Sequence, residues 1–260
     1  MLQRSAGTRH DLPGVWLEAL VLAAGYTLYQ FVQILVVGSR RSAVDRATWL
    51  WSTEQHLHVD PEVWLNHFVA ERYGLVVVTG LYYGILHFAV TPLVLVWLRA
   101  RRPDRYVSLR NTLVGTSMAA LVVYWLLPLA PPRLSVPAVI DTMKVNDILS
   151  AGNPQGLAAL ANQYAAMPSL HVTWAAWVAL AVVVAFPSSR FRHLAWVYPV
   201  STTLVVTATG QHFLADAVAA ALLVWAAWAV MATHDTRRPH PTHHSMHRPR
   251  GIGGPEFPNP

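Results

Sequence analysis

Apolar residues in this chain gather into long runs separated by polar links. Six runs stand out: about Val15–Val37, Tyr73–Leu98, Asn111–Leu129, Leu170–Phe186, His193–Thr209 and His212–Thr233. Each is near the ~20 residues that an apolar helix needs to cross a ~30 Å hydrocarbon core, the fourth and fifth being the shortest. Between the first two runs, Arg40–Arg72 mixes charges with Trp49, Trp51, Leu57 and Trp64. That is the pattern of one or two amphipathic helices lying on a membrane surface. Between the third and fourth runs, Ala130–Met167 holds Pro131, Pro132, Pro137 and Pro154 with Gly152 and Gly156. Loops of that length are often functional when ordered. The expected architecture is all-α: a six-span transmembrane helical bundle over residues 15–233, with an extracytoplasmic amphipathic helical segment and an active-site loop. Residues 1–14 are expected as a cytoplasmic N-terminus. Residues 234–260, rich in Pro, His and Arg, are expected as a disordered cytoplasmic tail.

Composition agrees with a bilayer protein. Of 260 residues, 54% are hydrophobic and only 12% charged, where soluble domains are about 25% charged. The length suits one bundle better than two domains. No cysteine is present, which excludes disulfides and thiolate chemistry. The net charge of +6 raises the question of nucleic acid, but the arginines flank apolar runs and form no continuous patch. Membrane topology accounts for them, and no nucleic-acid partner is expected. The first run is too long for a signal-peptide core and lacks a small-residue cleavage site, so it is expected to remain as a span.

The arginines also orient the bundle. Arg99, Arg101, Arg102, Arg105 and Arg110 crowd the link between runs two and three. Arg190 and Arg192 lie between runs four and five, Arg237 and Arg238 follow run six, and Arg4 and Arg9 precede run one. Six spans put all of these on one side, which the positive-inside rule makes cytoplasmic. The Ala130–Met167 segment, with only Arg133 and Lys144, then faces outward. Arg40–Arg72 falls outside as well, against the rule, since it carries Arg40, Arg41, Arg46 and Arg72.

Three polar groups converge on that outer face. "WLLPLAPPRLSV" (Trp125–Val136) ends run three with Arg133, "MPSLHV" (Met167–Val172) opens run four, and "TATGQHFLAD" (Thr207–Asp216) turns from run five into run six. His212 and Asp216 are four apart, and on a helix they share a face. Asp216 can accept a hydrogen bond from one ring nitrogen, which fixes the tautomer and leaves the other free as a nucleophile. Gly210 permits the tight turn before them. Arg133 offers a planar fork for phosphate. The start of run four offers free backbone N–H groups and the Ser169 hydroxyl, and His171 can protonate a leaving oxygen. The chemistry suggested is phosphoryl transfer.

Pro-Ser-x-His followed by His-x-x-x-Asp, in a chain of six apolar runs, resembles the type 2 phosphatidic acid phosphatase superfamily. The Pro128–Leu134 and Thr209–Asp216 stretches look more like its inositolphosphotransferase-like branch, which includes inositol phosphorylceramide synthases. The similarity runs from about Ala47 to Ala229. It implies His212 as the nucleophile that forms a phosphohistidine, Asp216 as its orienting partner and His171 as the general acid. It implies phosphate binding by Ser169 and Arg133. The superfamily's first motif has a lysine seven residues before the arginine and a proline after it; here Leu126 and Leu134 stand there. The Ser-Arg of its third motif is replaced by Val205 and Val206. Lys144, or Thr209 and Gln211, are the candidates to fill in for the missing cations.

Every piece also has a structural reading. Ser169 and His171 fit a helix start at an interface. His212 and Asp216 fit a polar pair between helices, and Arg133 a snorkelling anchor. His87, in "YYGILHFAVTP", either binds substrate or is a buried structural histidine. All three groups in order on one face favour a site. The expected function is hydrolysis of a membrane lipid phosphate, with transfer to an alcohol such as inositol or a sugar as the alternative. A transporter or scaffold is the competing class, but no inverted repeat relates residues 15–129 to 170–233. No cofactor or metal is expected, because His171 and the cations take a metal's part. The His240–His247 histidines have no fixed ligand geometry.

Overall fold

The structure, a computed structural model, describes residues 14–35, 40–145 and 163–236. Most of the expected N-terminal segment, residues 146–162 of the long loop and the expected tail from residue 237 lie outside the described residues. The chain runs through α1 (Val15–Leu35), α2 (Arg40–His56), α3 (Glu62–Ala70) and α4 (Tyr73–Leu81). A π-helical turn, Tyr82–Leu86, joins α4 to α5 (His87–Arg101). Then come α6 (Pro103–Leu126), the short α7 (Pro132–Ser135) and α8 (Thr142–Val145), and α9 (Leu170–Ala185). A 3₁₀ segment, Arg190–Trp196, leads into α10 (Val197–Ala208), and α11 (Leu214–Thr236) follows. Among the described residues every regular element is helical; an isolated bridge pairs Leu129 with Ala165.

α9 is apolar on all sides, as a helix surrounded by others must be. Ala175, Ala176, Ala179 and Ala181 are buried, and such small side chains let neighbouring backbones come close. α9 packs against α5, α6, α10 and α11. One core cluster joins Leu95 and Leu98 of α5, Leu109 and Leu113 of α6, and Trp177 and Ala181 of α9. Trp177, fully buried, satisfies its indole by donating to the Leu109 carbonyl at 2.8 Å.

The outward faces are apolar too. Val78, Leu81, Ile85, Phe88, Leu93 and Val96 are exposed along one stripe of α4–α5, and Val218, Leu222, Trp225 and Val230 along α11. Contiguous apolar faces of this kind mark an interaction surface such as a membrane. Among the described residues two helical stretches, Tyr73–Arg101 and Leu214–Thr233, are long and apolar enough to cross a bilayer. α9, with 16 residues, rises about 24 Å and is shorter than the hydrocarbon core.

Several boundaries differ from those expected. α6 begins at Pro103, eight residues before Asn111, because Pro103 takes the first helical position and Asp104 the first turn, both favourable at a helix start. Arg105 and Arg110 therefore lie on the helix, not in a link. Arg110 meets the buried Glu18 of α1 at 3.3 Å, and the Tyr106 hydroxyl donates to the same carboxylate at 3.0 Å. The α-helix expected from His193 begins at Val197, after the 3₁₀ turn. α11 runs to Thr236, into the expected tail. The Arg40–Arg72 stretch forms two helices, α2 and α3, as its pattern indicates.

Candidate active site

The site is built on the turn between α10 and α11. Gly210 has φ +73, and a Cβ there would meet Val139 Cγ1 at 2.7 Å and the Ile140 carbonyl at 3.3 Å. Conformation and space both require glycine. The close approach lets the Arg133 amide donate to the Gly210 carbonyl at 3.0 Å, which docks α7 on the turn. Asn66 of α3, fully buried, ties the same region together. Its Nδ2 donates to the carbonyls of Ile140 and Ala208, both at 2.9 Å, and its Oδ1 accepts from the Ile140 amide at 2.7 Å.

His212 lies in the turn, not on α11 as the four-residue spacing suggested; the helix starts two residues later. The contact with Asp216 forms nevertheless, with Nδ1 3.2 Å from Asp216 Oδ2. The Ala166 carbonyl lies 2.9 Å from the same Nδ1. Two acceptors on one nitrogen require that nitrogen to carry a proton. In the neutral imidazole Nε2 is then the nitrogen with the lone pair. Asp216 is fully buried and also accepts the Phe213 amide at 2.9 Å, so its carboxylate is held from two directions.

The third group is the start of α9. Ser169 caps the helix: its Oγ accepts from the Val172 amide at 3.4 Å and its own amide donates to the Asp216 carbonyl at 3.2 Å. The amides of Leu170 and His171 make no bond to the described residues. His171 stacks on Tyr83 (ring centroids 4.1 Å, 21°) and meets the edge of His87 at 4.1 Å. Its ring centroid is 6.1 Å from that of His212, so one phosphoryl group can touch both rings.

The structure brings His212, Asp216, His171, Ser169, Arg133 and Gln211 together. Gln211 does not face outward as a phosphate ligand; its Oε1 accepts from Arg133 Nε at 2.9 Å and so aims the guanidinium. Asp141, with Oδ2 3.9 Å from the same Nε, assists. Thr209 likewise spends its hydroxyl on the Val205 carbonyl at 2.8 Å. Lys144 is exposed on α8, and no hydrogen bond or ion pair joins its side chain to the other candidates. His87 packs against His171 and, at 5.7 Å, Trp174; its surroundings are aromatic rather than those of a phosphate cradle.

Four features were not visible in the sequence. The π turn carries Tyr82 and Tyr83, and such turns are frequent at functional sites; Tyr82 donates or accepts at Ser201 Oγ (2.8 Å) and Thr202 Oγ1 (2.9 Å) of α10. Asn66 is the second. Glu54 and Glu62 complete the set: both buried, they accept the amides of Ala215 and Leu214, each at 2.8 Å. On α3 the polar pair lies on the inner face. Glu62 and Asn66 are four apart and buried, while Trp64 and Phe68, also four apart, are exposed. That is amphipathicity with the apolar face outward. Among the described residues no cluster of His, Asp and Glu has the geometry to hold a metal.

Residues 48–230 match the family model described as PAP2 superfamily, over nearly the stretch where the sequence resemblance runs. No curated protein and no solved structure matches the chain.

Proposed function

The chain belongs to the PAP2 superfamily, whose members are generally phosphoric ester hydrolases or phosphotransferases, and we propose that it is an integral membrane lipid-phosphate phosphatase acting through a phosphohistidine on His212. The observation that carries this reading is the pair of acceptors on His212 Nδ1, which leaves Nε2 as a bare nucleophile beside an anion-ready helix start. Nε2 attacks phosphorus while the bond to the lipid oxygen breaks, and that oxygen takes its proton from His171. Water then gives a proton to His171 and its oxygen attacks phosphorus; the P–N bond breaks and inorganic phosphate leaves. Arg133 and the free amides of α9 neutralise the equatorial oxygens in both steps. Asp216 keeps the imidazole tautomer and stabilises the ring as it gains positive character. Tyr83 and His87 hold the plane of His171.

In this reading α1, α4–α5, α6, α9, the 3₁₀–α10 segment and α11 are the six spans, and α2 and α3 lie on the outer surface with Trp64 and Phe68 toward lipid. The Pro128–Leu134 and Thr209–Asp216 likeness to the inositolphosphotransferase-like branch supports a second reading, in which an alcohol replaces water in the last step.

The test is release of phosphate. Purified protein in mixed micelles should liberate inorganic phosphate from phosphatidic acid in the presence of a chelator. Added inositol or sugar should divert the phosphoryl group if the second reading holds. Silence across lipid phosphates, with solute movement in vesicles, would replace both readings with a transporter. Sidedness has its own test, since the chain has no cysteine. Gln163→Cys should react with an impermeant thiol reagent in intact cells and Asp104→Cys should not. The reverse would overturn the outer-face assignment.

A further inference from the structure

Glu54 and Glu62 have no part in the steps above, yet they occupy the turn that carries the nucleophile. They come from different helices, α2 and α3, and are 4% and 0% exposed. Glu62 Oε1 accepts the Leu214 amide and Glu54 Oε1 the Ala215 amide. Those amides are consecutive, so the two carboxyl groups lie side by side. The other oxygen of each, Oε2, is buried with no hydrogen-bond partner among the described residues. An ionised carboxylate offers about four acceptor sites, and the Oε2 side of each is left without a partner among the described residues.

The electrostatics are equally one-sided. Asp216 accepts the Phe213 amide in the same turn, so three carboxyl groups crowd one helix start. A helix N-terminus supplies roughly +0.5 charge, enough for one anion and not for three. The charged groups that face the pair are Asp60, just before α3, and Asp216 on α11, both acidic. Burial, followed by repulsion from Glu62, pushes Glu54 up to about 8, and burial raises Glu62 as well. A single proton would relieve the conflict. It would remove one charge and give one of the two buried oxygens a hydrogen to donate.

We propose that Glu54 and Glu62 share one proton between their Oε2 atoms and, in that singly protonated form, are positioning residues that hold the His212–Asp216 turn in register. The catalytic part of this rests on the reading of His212 as nucleophile. Loss of the proton drives the two carboxylates apart. The Leu214 and Ala215 amides follow them, and His212 loses its aim at the substrate. The pair therefore sets an alkaline limit on turnover.

Infrared spectroscopy and kinetics test the two halves separately. The unaltered protein should show a protonated carboxylic acid band at neutral pH that fades through about pH 8, and Glu54→Gln should lack it. Absence of that band at neutral pH overturns the shared proton, whatever the activity. In Glu54→Gln the amide donates to Glu62 as the acid did, so the singly protonated state is fixed. The unaltered protein should lose kcat about tenfold between about pH 7 and about pH 9, and Glu54→Gln should lose far less. Glu54→Ala, which removes the acceptor on Ala215, should lower kcat at every pH with little change in KM. A Glu54→Gln profile that falls like the unaltered one overturns the positioning role. If no phosphate is released by any form, the reading of His212 fails and with it the positioning role, while the infrared band still decides on the shared proton.

Discussion

Two helix starts stand side by side at the site, and they are finished in opposite ways. α9 begins with a neutral cap, Ser169, and leaves the amides of Leu170 and His171 without a bond to the described residues. α11 begins with its amides taken up by the protein's own carboxyl groups: Leu214 by Glu62, Ala215 by Glu54, and Phe213 before them by Asp216. Both ends present N–H groups and the same partial positive charge. In the proposed mechanism the first is left for a substrate anion, while the second is closed by the protein's own carboxyl groups. The closed end would then hold the turn of the proposed nucleophile, and the open end would keep its electrostatics for the reaction. The two are joined directly, since the Ser169 amide donates to the Asp216 carbonyl.

The largest expected effect comes from the residue between the two ends. His212→Ala should cut turnover by more than about 10⁴-fold and leave the fold intact, measured as phosphate release. A rate near that of the unaltered protein would sink the nucleophile assignment. Next is the ring on the open end. His171→Ala should slow a lipid phosphate by about 10²–10⁴-fold, the usual worth of a general acid, because a lipid alkoxide leaves poorly without a proton. A nitrophenyl phosphate, whose leaving group needs little help, should suffer far less. Equal losses on both would make His171 a phosphate ligand instead.

A direct way to break the contrast is to close the open end. Ser169→Asp keeps a good helix cap but places a carboxylate where the phosphate should sit. Turnover should fall by about 10²–10³-fold, the scale of losing an oxyanion donor; because Ser169 is buried, the unfolding temperature should fall as well. Ser169→Ala should cost about 0.5–2 kcal/mol of stability and lower activity less. An active Ser169→Asp variant would show that the anion binds elsewhere.

The smallest effect sharpens the closed end. In the folded protein Glu54 keeps its proton to about 8, against an ordinary value of 4.5. Below about 4.5 both folded and unfolded chains hold that proton. Between about 4.5 and about 8 only the folded chain does, so the stability this group contributes is complete at the low end and is lost as pH rises. The unfolding temperature should fall across that window, and Glu54→Gln should flatten the fall. A flat curve in the unaltered protein would contradict the raised value.

The open end was largely legible in the sequence and the closed end was not. Proline, serine and histidine before an apolar run mark a helix start, and their order with Arg133, His212 and Asp216 carries the family's pattern. Position along the chain also gave the main helices, because apolar runs set their length. Glu54 and Glu62 escaped because they sit in a stretch whose mixed charges and tryptophans read as amphipathic helices on a membrane surface, with their polar residues toward water. On α3 the water-facing logic is inverted: the polar pair faces protein, and Trp64 and Phe68 face out. Lys144 went the other way. As the only lysine in an outer loop it suggested a phosphate ligand, yet it stands exposed on α8. Gln211 was expected to bind phosphate, and no spacing shows that its amide oxygen meets Arg133.

The central claim is that His212 Nε2 becomes phosphorylated, and trapping that state tests it most directly. Protein mixed with a radiolabelled phosphate ester and quenched in alkali should carry label on a single histidine, with the acid lability of a phosphoramidate. Fragment analysis should place it at His212. The label should vanish in His212→Ala and accumulate in His171→Ala supplied with the aryl ester, because no base then activates water for the second step. Phosphate release with no trapped label in either form, or label on another residue, would contradict the account.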